Sequence, residues 1–441
     1  MSTTINIKKG LDIPLPGAAG GETVKDTTTR LFAVYPDDFP GYTWKIAVKV
    51  GDKVAIGDPL LRAKEDPEIC LTSMVNGNVK EINRGARRKI EYVSVEASDS
   101  ESVAAFSSAG SVLSDMKKSG LYAMMRQRPF DIVPMAHVKP RDIFVTSFDS
   151  APLAPAILSK EDTPYLESGL KALASLTDGK VYLGVREGSG INSQVAEVIE
   201  IGGPHPTGNV GVQIAAVKPV NKGEVVWTLD VRTAARIGRM VKDSKLSFRT
   251  VVAITGPDAE NPHLVDTLDG AALGSLLKGQ IKKTEGKVRV ISGNVLTGIK
   301  VETESGFLRY PYRQITLIDE GDQADEFMGW ASMNPKKYSV KKTFPAFLRG
   351  LTKPFNFDAR IKGGHRAMIL SGEYDKVFPM DIYPEYLIKA ILAKDIEKME
   401  QLGIYEVAPE DFALPEFVDT SKLELQKIVR DGLDYLRKET L

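Results

Sequence analysis

The stretch SGLYAMMRQRPFDIVPM (119–135) sets Tyr122, Met124, Met125 and Phe130 beside Arg126 and Arg128. Adaptable apolar side chains next to guanidinium donors suit a flat ring with two carbonyls, such as a quinone headgroup. In that chemistry Arg128 hydrogen-bonds a carbonyl oxygen and Phe130 covers the ring face, with Tyr122 and Arg126 beside them. The same composition suits a buried helix end or a protein–protein contact. A second stretch, IGGPHPTGNVG (201–211), flanks His205 with two prolines and places glycines on either side, which predicts a rigid, exposed loop ahead of a helix opening near Thr207. An anion can sit at such a helix start, and His205 can exchange a proton near neutral pH. A structural turn whose histidine packs on a neighbour accounts for the same residues.

Other chemical signals are incomplete. EGSGINS carries Gly188 and Gly190 but has Ser193 where a dinucleotide loop needs its third glycine, so it reads as an ordinary strand-to-loop turn. DGAALG (269–274) is similar to a sequence in which a threonine carries covalent flavin phosphate, but Ala272 stands at that place and offers no hydroxyl. His137, His205, His263 and His365 are scattered without ligand spacing, which predicts no metal site. One cysteine, Cys70, excludes an internal disulfide framework and any cysteine-ligated cluster. KTFPAFLRGLTKPFNFDARIKGG (342–364) sets Phe344, Phe347, Phe355 and Phe357 beside Arg349, Lys353 and Arg360, and reads as a partner-docking surface.

The elements that must position these residues follow from periodicity. Residues 44–100 read as short strands with turns at Gly51-Asp52 and Gly57-Asp58 and a hairpin signal at Asn76-Gly77. VGDKVAIGDPLL with LTSMVNGNV looks like a biotinyl/lipoyl-type barrel sandwich, although the tip Lys64-Glu65-Asp66-Pro67-Glu68 puts Pro67 at the turn and Lys64 behind it. That predicts a structural barrel rather than an acylated carrier. DIFVTSF (142–148) and KVYLGV (180–185) are strands around a helix at YLESGLKALASL (165–176), a rhythm that implies a parallel sheet with crossover helices. RTVVAITG (249–256) opens a small α+β unit. PEYLIKAILAKDIEKMEQLG (384–403) reads as one helix from Pro384 to Gly403, with Leu392 on its apolar face. SKLELQKIVRDGLDYLRKE reads as another, with Ser421 and Glu424 in capping-box positions.

The 441 residues set a soft expectation of about three domains. The predicted fold is multidomain α/β and α+β. It comprises a biotinyl/lipoyl-like β domain (1–100), a Rossmann-like α/β domain (101–255), a β-grasp-type, soluble-ligand-binding module (256–330) and a helical C-terminal docking domain (331–441). Lys plus Arg and Asp plus Glu each total 58, leaving no electrostatic footprint for nucleic acid or an anionic membrane. No stretch approaches the roughly 20 apolar residues of a membrane span, and no signal-peptide run follows Lys8-Lys9. The expectation is a cytoplasmic, water-soluble chain that serves a membrane only by docking.

Taken in order, IKKGLDIPLPG, INRGARR, LYAMMRQRPF, LASLTDGKVYLG, GPHPTG, VRVISGNVLTG and EFMGW resemble the A subunits of Na+-translocating NADH:quinone oxidoreductases over nearly the whole chain. The resemblance implies a peripheral subunit on the cytoplasmic face of the bacterial inner membrane, within a six-subunit complex. That complex passes electrons from NADH to quinone and exports Na+, and NADH oxidation, flavins and iron–sulfur centres belong to the partner subunits. The family also resembles flavin-binding electron-entry subunits of related complexes, which carry C-terminal cysteine runs. Here Phe378 precedes Pro379 where a thiolate would lie, and Val407, Glu410, Ala413 and Phe417 fall at the later cysteine spacings. The resemblance therefore implies a quinone-proximal chain without its own redox cofactor, and the residue types read above make Tyr122, Arg126, Arg128, Phe130 and His205 the candidates for quinone contact. The alternative is an NADH-oxidising flavoprotein subunit using Gly188 and Gly190.

Overall fold

A computed structural model describes residues 3–99, 101–108, 110–282, 286–322, 337–340 and 354–440. EFMGW, Phe344, Phe347, Arg349 and Lys353 lie outside these residues.

The β region near the amino terminus is two small antiparallel sheets. One orders Leu31–Val34, Ile90–Ala97, Gly77–Arg84 and Lys53–Val54, and the other Trp44–Ile46, Pro59–Ala63 and Cys70–Thr72. Both Gly-Asp turns form as expected: Gly51 and Gly57 each take φ +91°. The following carboxylates accept backbone N–H bonds from Lys49 and Ala55, each at 2.8 Å. Asn76-Gly77 is not the expected hairpin turn, because Gly77 opens a strand that pairs with both Val54 and Ala97. Its glycine is needed for a close approach, since a Cβ there would stand 2.1 Å from the Glu96 carbonyl oxygen.

The next sheet orders Thr3–Asn6, Glu197–Gly202, Val181–Arg186, Asp142–Thr146, Val226–Asp230 and Arg126–Arg128. Neighbours are parallel except for the last pair. Strict alternation divides its faces. Ile143, Val145, Leu183 and Leu229 pack under the helices Leu166–Ala174 and Val231–Asp243. Phe144, Tyr182 and Ile199 pack on the other side with Ile214 of the helix Val210–Val217. The loop at Gly188 and Gly190 runs into the strand Glu197–Gly202 rather than into a helix, so it lacks the element a phosphate loop requires.

A mixed sheet follows, ordering Thr23–Lys25, His263–Leu268, Arg249–Thr255, Gln314–Asp319, Val288–Ser292 and Ile299–Val301. The amino-terminal segment is thus shared: residues 3–6 extend the parallel sheet and residues 23–25 extend the mixed one. The C-terminal helices build a separate core around Leu387, Ile388, Phe412, Val429 and Leu433. The expected helix 384–403 is two helices, Pro384–Ala393 and Ile396–Gln401. Lys394 turns left-handed at φ +54°, and Asp395 caps the second helix by accepting from the Lys398 N–H. Leu392 is 54% exposed, off the apolar face assigned to it. Nor does Ser421 cap the last helix, which starts at Leu425: its hydroxyl donates to the Ala367 carbonyl at 3.0 Å.

Candidate functional site

In the parallel sheet the chain runs outward from Asp142–Thr146 through Val181–Arg186 to Glu197–Gly202, then returns to place Val226–Asp230 on the other side of Asp142–Thr146. The crevice beyond the carboxyl ends of two strands that diverge in this way is where open α/β sheets bind ligands. A cavity of about 450 Å3 lies there, lined by Thr146 at the end of one strand with Phe148 and Asp149 after it, and by Asp230 at the end of the other. Its remaining walls come from far along the chain: Asp38, Tyr310 to Gln314, and Glu410 with Arg430.

Of the five residues picked from sequence, Arg126 and His205 line this cavity. Arg126 is fixed in place: Nη1 donates to the carbonyls of Ala123 and Met125 at 3.1 and 2.9 Å, and Nη2 donates to the carbonyl of Asp38. Its guanidinium lies 5.7 Å from the centre of the Tyr310 ring. The loop expected to be exposed is buried at His205, which is 4% exposed. His205 Nδ1 shares a hydrogen bond of 2.9 Å with Ser150 Oγ, and its backbone N–H donates to Asp12. Burial lowers the imidazole's affinity for a proton, outweighing the opposing pull of Asp149 and Asp12.

The other three do not line the cavity. Tyr122 is fully buried, its ring edge-on to Trp227 at 5.7 Å. Arg128 is buried too, with Nη1 on Asp411 at 2.7 Å and on the Glu406 carbonyl at 3.2 Å, and Nη2 on Glu410 at 3.0 Å. Burial disfavours its charge, but Asp411 and Glu410 more than restore it and raise its proton affinity. Phe130 belongs to the C-terminal core at φ +81°, a conformation costly for a non-glycine residue. Arg430 holds it there by donating to the carbonyls of Phe130 and Asp131.

Sequence reasoning missed Asp149, Asp230 and Arg313. Asp230 caps the helix Val231–Asp243 by accepting from the Thr233 N–H at 2.7 Å. Burial opposes its ionisation, yet Arg232 and Arg313 hold its carboxyl below the usual range. Arg313 stands in Arg309-Tyr310-Pro311-Tyr312-Arg313, an aromatic-plus-basic run of the kind that marked residues 119–135, and this is the signal that points to it. Arg309 grips both oxygens of Asp38, and Tyr310 stacks on Phe39 at 5.1 Å, so the run is anchored to the amino-terminal region.

At the helix start predicted to attract an anion, an internal one is already present. The helix opens at Val210, and a Cβ on Gly211 would lie 2.6 Å from both carboxylate oxygens of Asp411. At the positions of the cysteine spacings, Phe378 packs on Phe412 at 5.1 Å and Val407 and Ala413 are buried. Among the described residues, no group of three or more His, Cys, Asp or Glu side chains is placed to hold a metal ion. None of their helices is long and apolar enough to cross a membrane.

Three family models match the chain. These are the NqrA N-terminal barrel-sandwich hybrid domain over residues 5–98, the NqrA second alpha/beta domain over 107–246 and the NQRA C-terminal domain over 251–303. The A subunit of the Na(+)-translocating NADH-quinone reductase of Hahella chejuensis is 36% identical over 452 residues, covering 99% of this chain and 100% of that protein. The corresponding A subunits of Shewanella amazonensis and Rhodopirellula baltica are each 34% identical, covering 99% and 100% of this chain and 100% of their own lengths. Among solved structures, a chain of an NAD+-reducing NiFe-hydrogenase in the H2-reduced state matches with a TM-score of 0.29 at 14% identity, over 68% of this chain and 55% of that one. Identity above 30% along the full length, with all three family models in order, means that this chain belongs to the NqrA family, the A subunits of Na(+)-translocating NADH-quinone reductases.

Proposed function

We propose that this chain is a peripheral, cytoplasmic-face subunit that supports quinone reduction coupled to Na+ export. In this reading it carries no redox cofactor itself, and NADH, flavins and iron–sulfur centres belong to partner subunits. Quinone and sodium enter from the relatives' names. The cavity at the strand divergence is the observation that carries quinone contact to this chain, because Arg126 and His205 line it together with Phe148 and Tyr310. An aromatic and apolar wall with convergent polar groups is the ordinary form of a small-ligand site, and here the polar share is large, with Asp38, Asp149, Asp230 and Arg313 also on the lining. Arg126 and His205 touch the headgroup, whereas Tyr122, Arg128 and Phe130 shape and brace the wall behind it.

In this proposal the parallel-sheet unit is Rossmann-like, the mixed sheet is a β-grasp-type module, and the C-terminal helices are a docking domain with a cluster-binding fold emptied of cysteines. An NADH-oxidising flavoprotein is the poorer reading. Gly188 and Gly190 lead to no helix, and Asp411 already sits against the start of the helix at Val210. Calorimetric titration of a short-chain 1,4-benzoquinone into the full chain tests the proposal. Saturable binding is expected, weakened in a folded Arg126→Ala variant. No binding to the wild-type chain would sink the claim that this subunit contacts quinone.

A further inference from the structure

Arg313 is a buried cation with hydrogen-bonding capacity left over. Its side chain is 10% exposed and lines the cavity. A guanidinium so enclosed ordinarily commits its five N–H donors. Here neither Nε nor Nη1 has a hydrogen-bond partner. The nearest carboxylates stand off, with Asp149 Oδ2 3.7 Å from Nη2 and Asp230 Oδ2 4.0 Å from Nε. Both lie beyond hydrogen-bonding distance. Each carboxylate also has a task elsewhere: Asp149 accepts the Ala151 N–H at 2.8 Å, and Asp230 caps its helix. Burial weighs against the charge of Arg313 more than Asp149 and Asp230 support it, and its donors stay unspent. Arg126, on the same wall, differs because it gives both Nη groups to backbone carbonyls.

We infer that Arg313 anchors a carbonyl oxygen of an uncharged ring bound in this cavity. The charge arithmetic selects the ligand class. Carboxylates outnumber guanidiniums on the lining, with Asp37, Asp38, Asp131, Asp149 and Asp230 against Arg126, Arg313 and Arg430, so an anionic ligand would add negative charge to a poorly solvated site where like charges repel strongly. A carbonyl brings lone pairs without a charge and turns idle buried donors into charge-assisted hydrogen bonds. Tyr310 and Tyr312, on either side of Pro311, line the same cavity as Phe148 and give it an aromatic wall. The inference rests on the proposed reading that quinone enters here, and it deepens that reading by naming the group that orients the ring.

The test is a calorimetric titration of the full chain with two probes, a short-chain 1,4-benzoquinone and the same ring bearing a carboxylate tail. Arg313→Met is expected to weaken benzoquinone binding by about tenfold or more, the usual worth of a hydrogen bond to a charged group. Arg313→Lys, which keeps the charge but not the fork, should recover part of the loss. Asp149→Asn uncovers the guanidinium charge and should raise affinity for the carboxylate probe relative to the neutral one. Undiminished benzoquinone binding by Arg313→Met would overturn the assignment and leave the quinone reading standing. No binding of either probe to the wild-type chain would instead bring down the reading and the assignment with it. Should Arg313→Met fail to fold, the Asp149→Asn preference decides, and an unchanged ratio between the probes would overturn the assignment.

Discussion

Glu406 and Arg128 meet at the junction between the parallel sheet and the C-terminal helices, and their environments act oppositely on charge. Arg128 and Asp411, each with its side chain 1% exposed, form a pair whose value lies in being complete. Losing one partner strands the other charge and costs about 3–5 kcal/mol, although a matched apolar replacement of both can be neutral. Glu406 gives its carbonyl to Arg128, but its carboxyl has no such cation among the described residues. Burial, with Asp381 adding to it, raises that carboxyl to about 7. Because the folded value lies above the unfolded one, this group favours the fold at low pH, and its contribution is lost as pH rises from about 4.5 through about 7. Glu406→Gln is therefore expected to raise the melting temperature relative to wild type at pH 8 and to leave it nearly unchanged at pH 4.5. Thermal melts of the two proteins across that range check this, and a difference independent of pH would refute it.

The helices Leu166–Ala174 and Val231–Asp243 cross where Gly169 faces the Ala234 carbonyl and Gly238 faces that of Tyr165. Alanine in place of a mid-helix glycine ordinarily gains about 1 kcal/mol. At Gly238 the added Cβ would stand 2.0 Å from the Tyr165 carbonyl oxygen, and backbone cannot swing aside as a side chain can. The sign should reverse, with Gly238→Ala destabilising by about 1–3 kcal/mol, as overpacking does. A fall in the denaturation midpoint is the expected result, and a rise would show that the helices part without cost. Elements of this unit were legible from sequence because both periods are clean there. The expected strands and helix at 142–148, 180–185 and 165–176 are found at Asp142–Thr146, Val181–Arg186 and Leu166–Ala174. The break at Lys394 was not legible, since neither glycine nor proline marks it within residues 385–402. Only Asp395 signals a new cap, and a surface Lys-Asp pair looks the same on an unbroken helix. Asn76-Gly77 misled for a related reason: its glycine is demanded by a neighbouring strand distant in sequence rather than by a turn.

At the scale of the molecule, the cavity is assembled from stretches of chain hundreds of residues apart. Arg126 and His205 could be picked singly because each stands in an unusual local sequence. Arg313 could have been picked from its aromatic-plus-basic run, but Asp149 and Asp230 could not, because what distinguishes them is a charge that meets an unspent donor only in space. The same long-range assembly makes the C-terminal helices a distinct body, with a core of their own to which the rest of the chain lends Ile13, Phe130, Ile132 and Val212. Polar ties cross the junction at several points, among them Arg128 to Asp411, Glu410 and the Glu406 carbonyl, Arg430 to the carbonyls of Phe130 and Asp131, Asn209 to the Glu410 carbonyl, Lys222 to Glu400, and Gln426 to the carbonyl of Leu296. A unit with a core of its own should open on its own, at a lower free energy than the sheet beneath it. Amides of Pro384–Ala393 and Leu425–Thr440 are therefore expected to exchange with deuterium as one set, ahead of those of Asp142–Thr146 and Val181–Arg186. Arg128→Met, which strands Asp411, should speed the helical set by about a hundredfold or more while the central strands keep their wild-type rates. Equal acceleration of both sets would mean that helices and sheet unfold as one cooperative body, and the cavity wall would then owe its shape to the fold as a whole rather than to a docked unit able to come away from it.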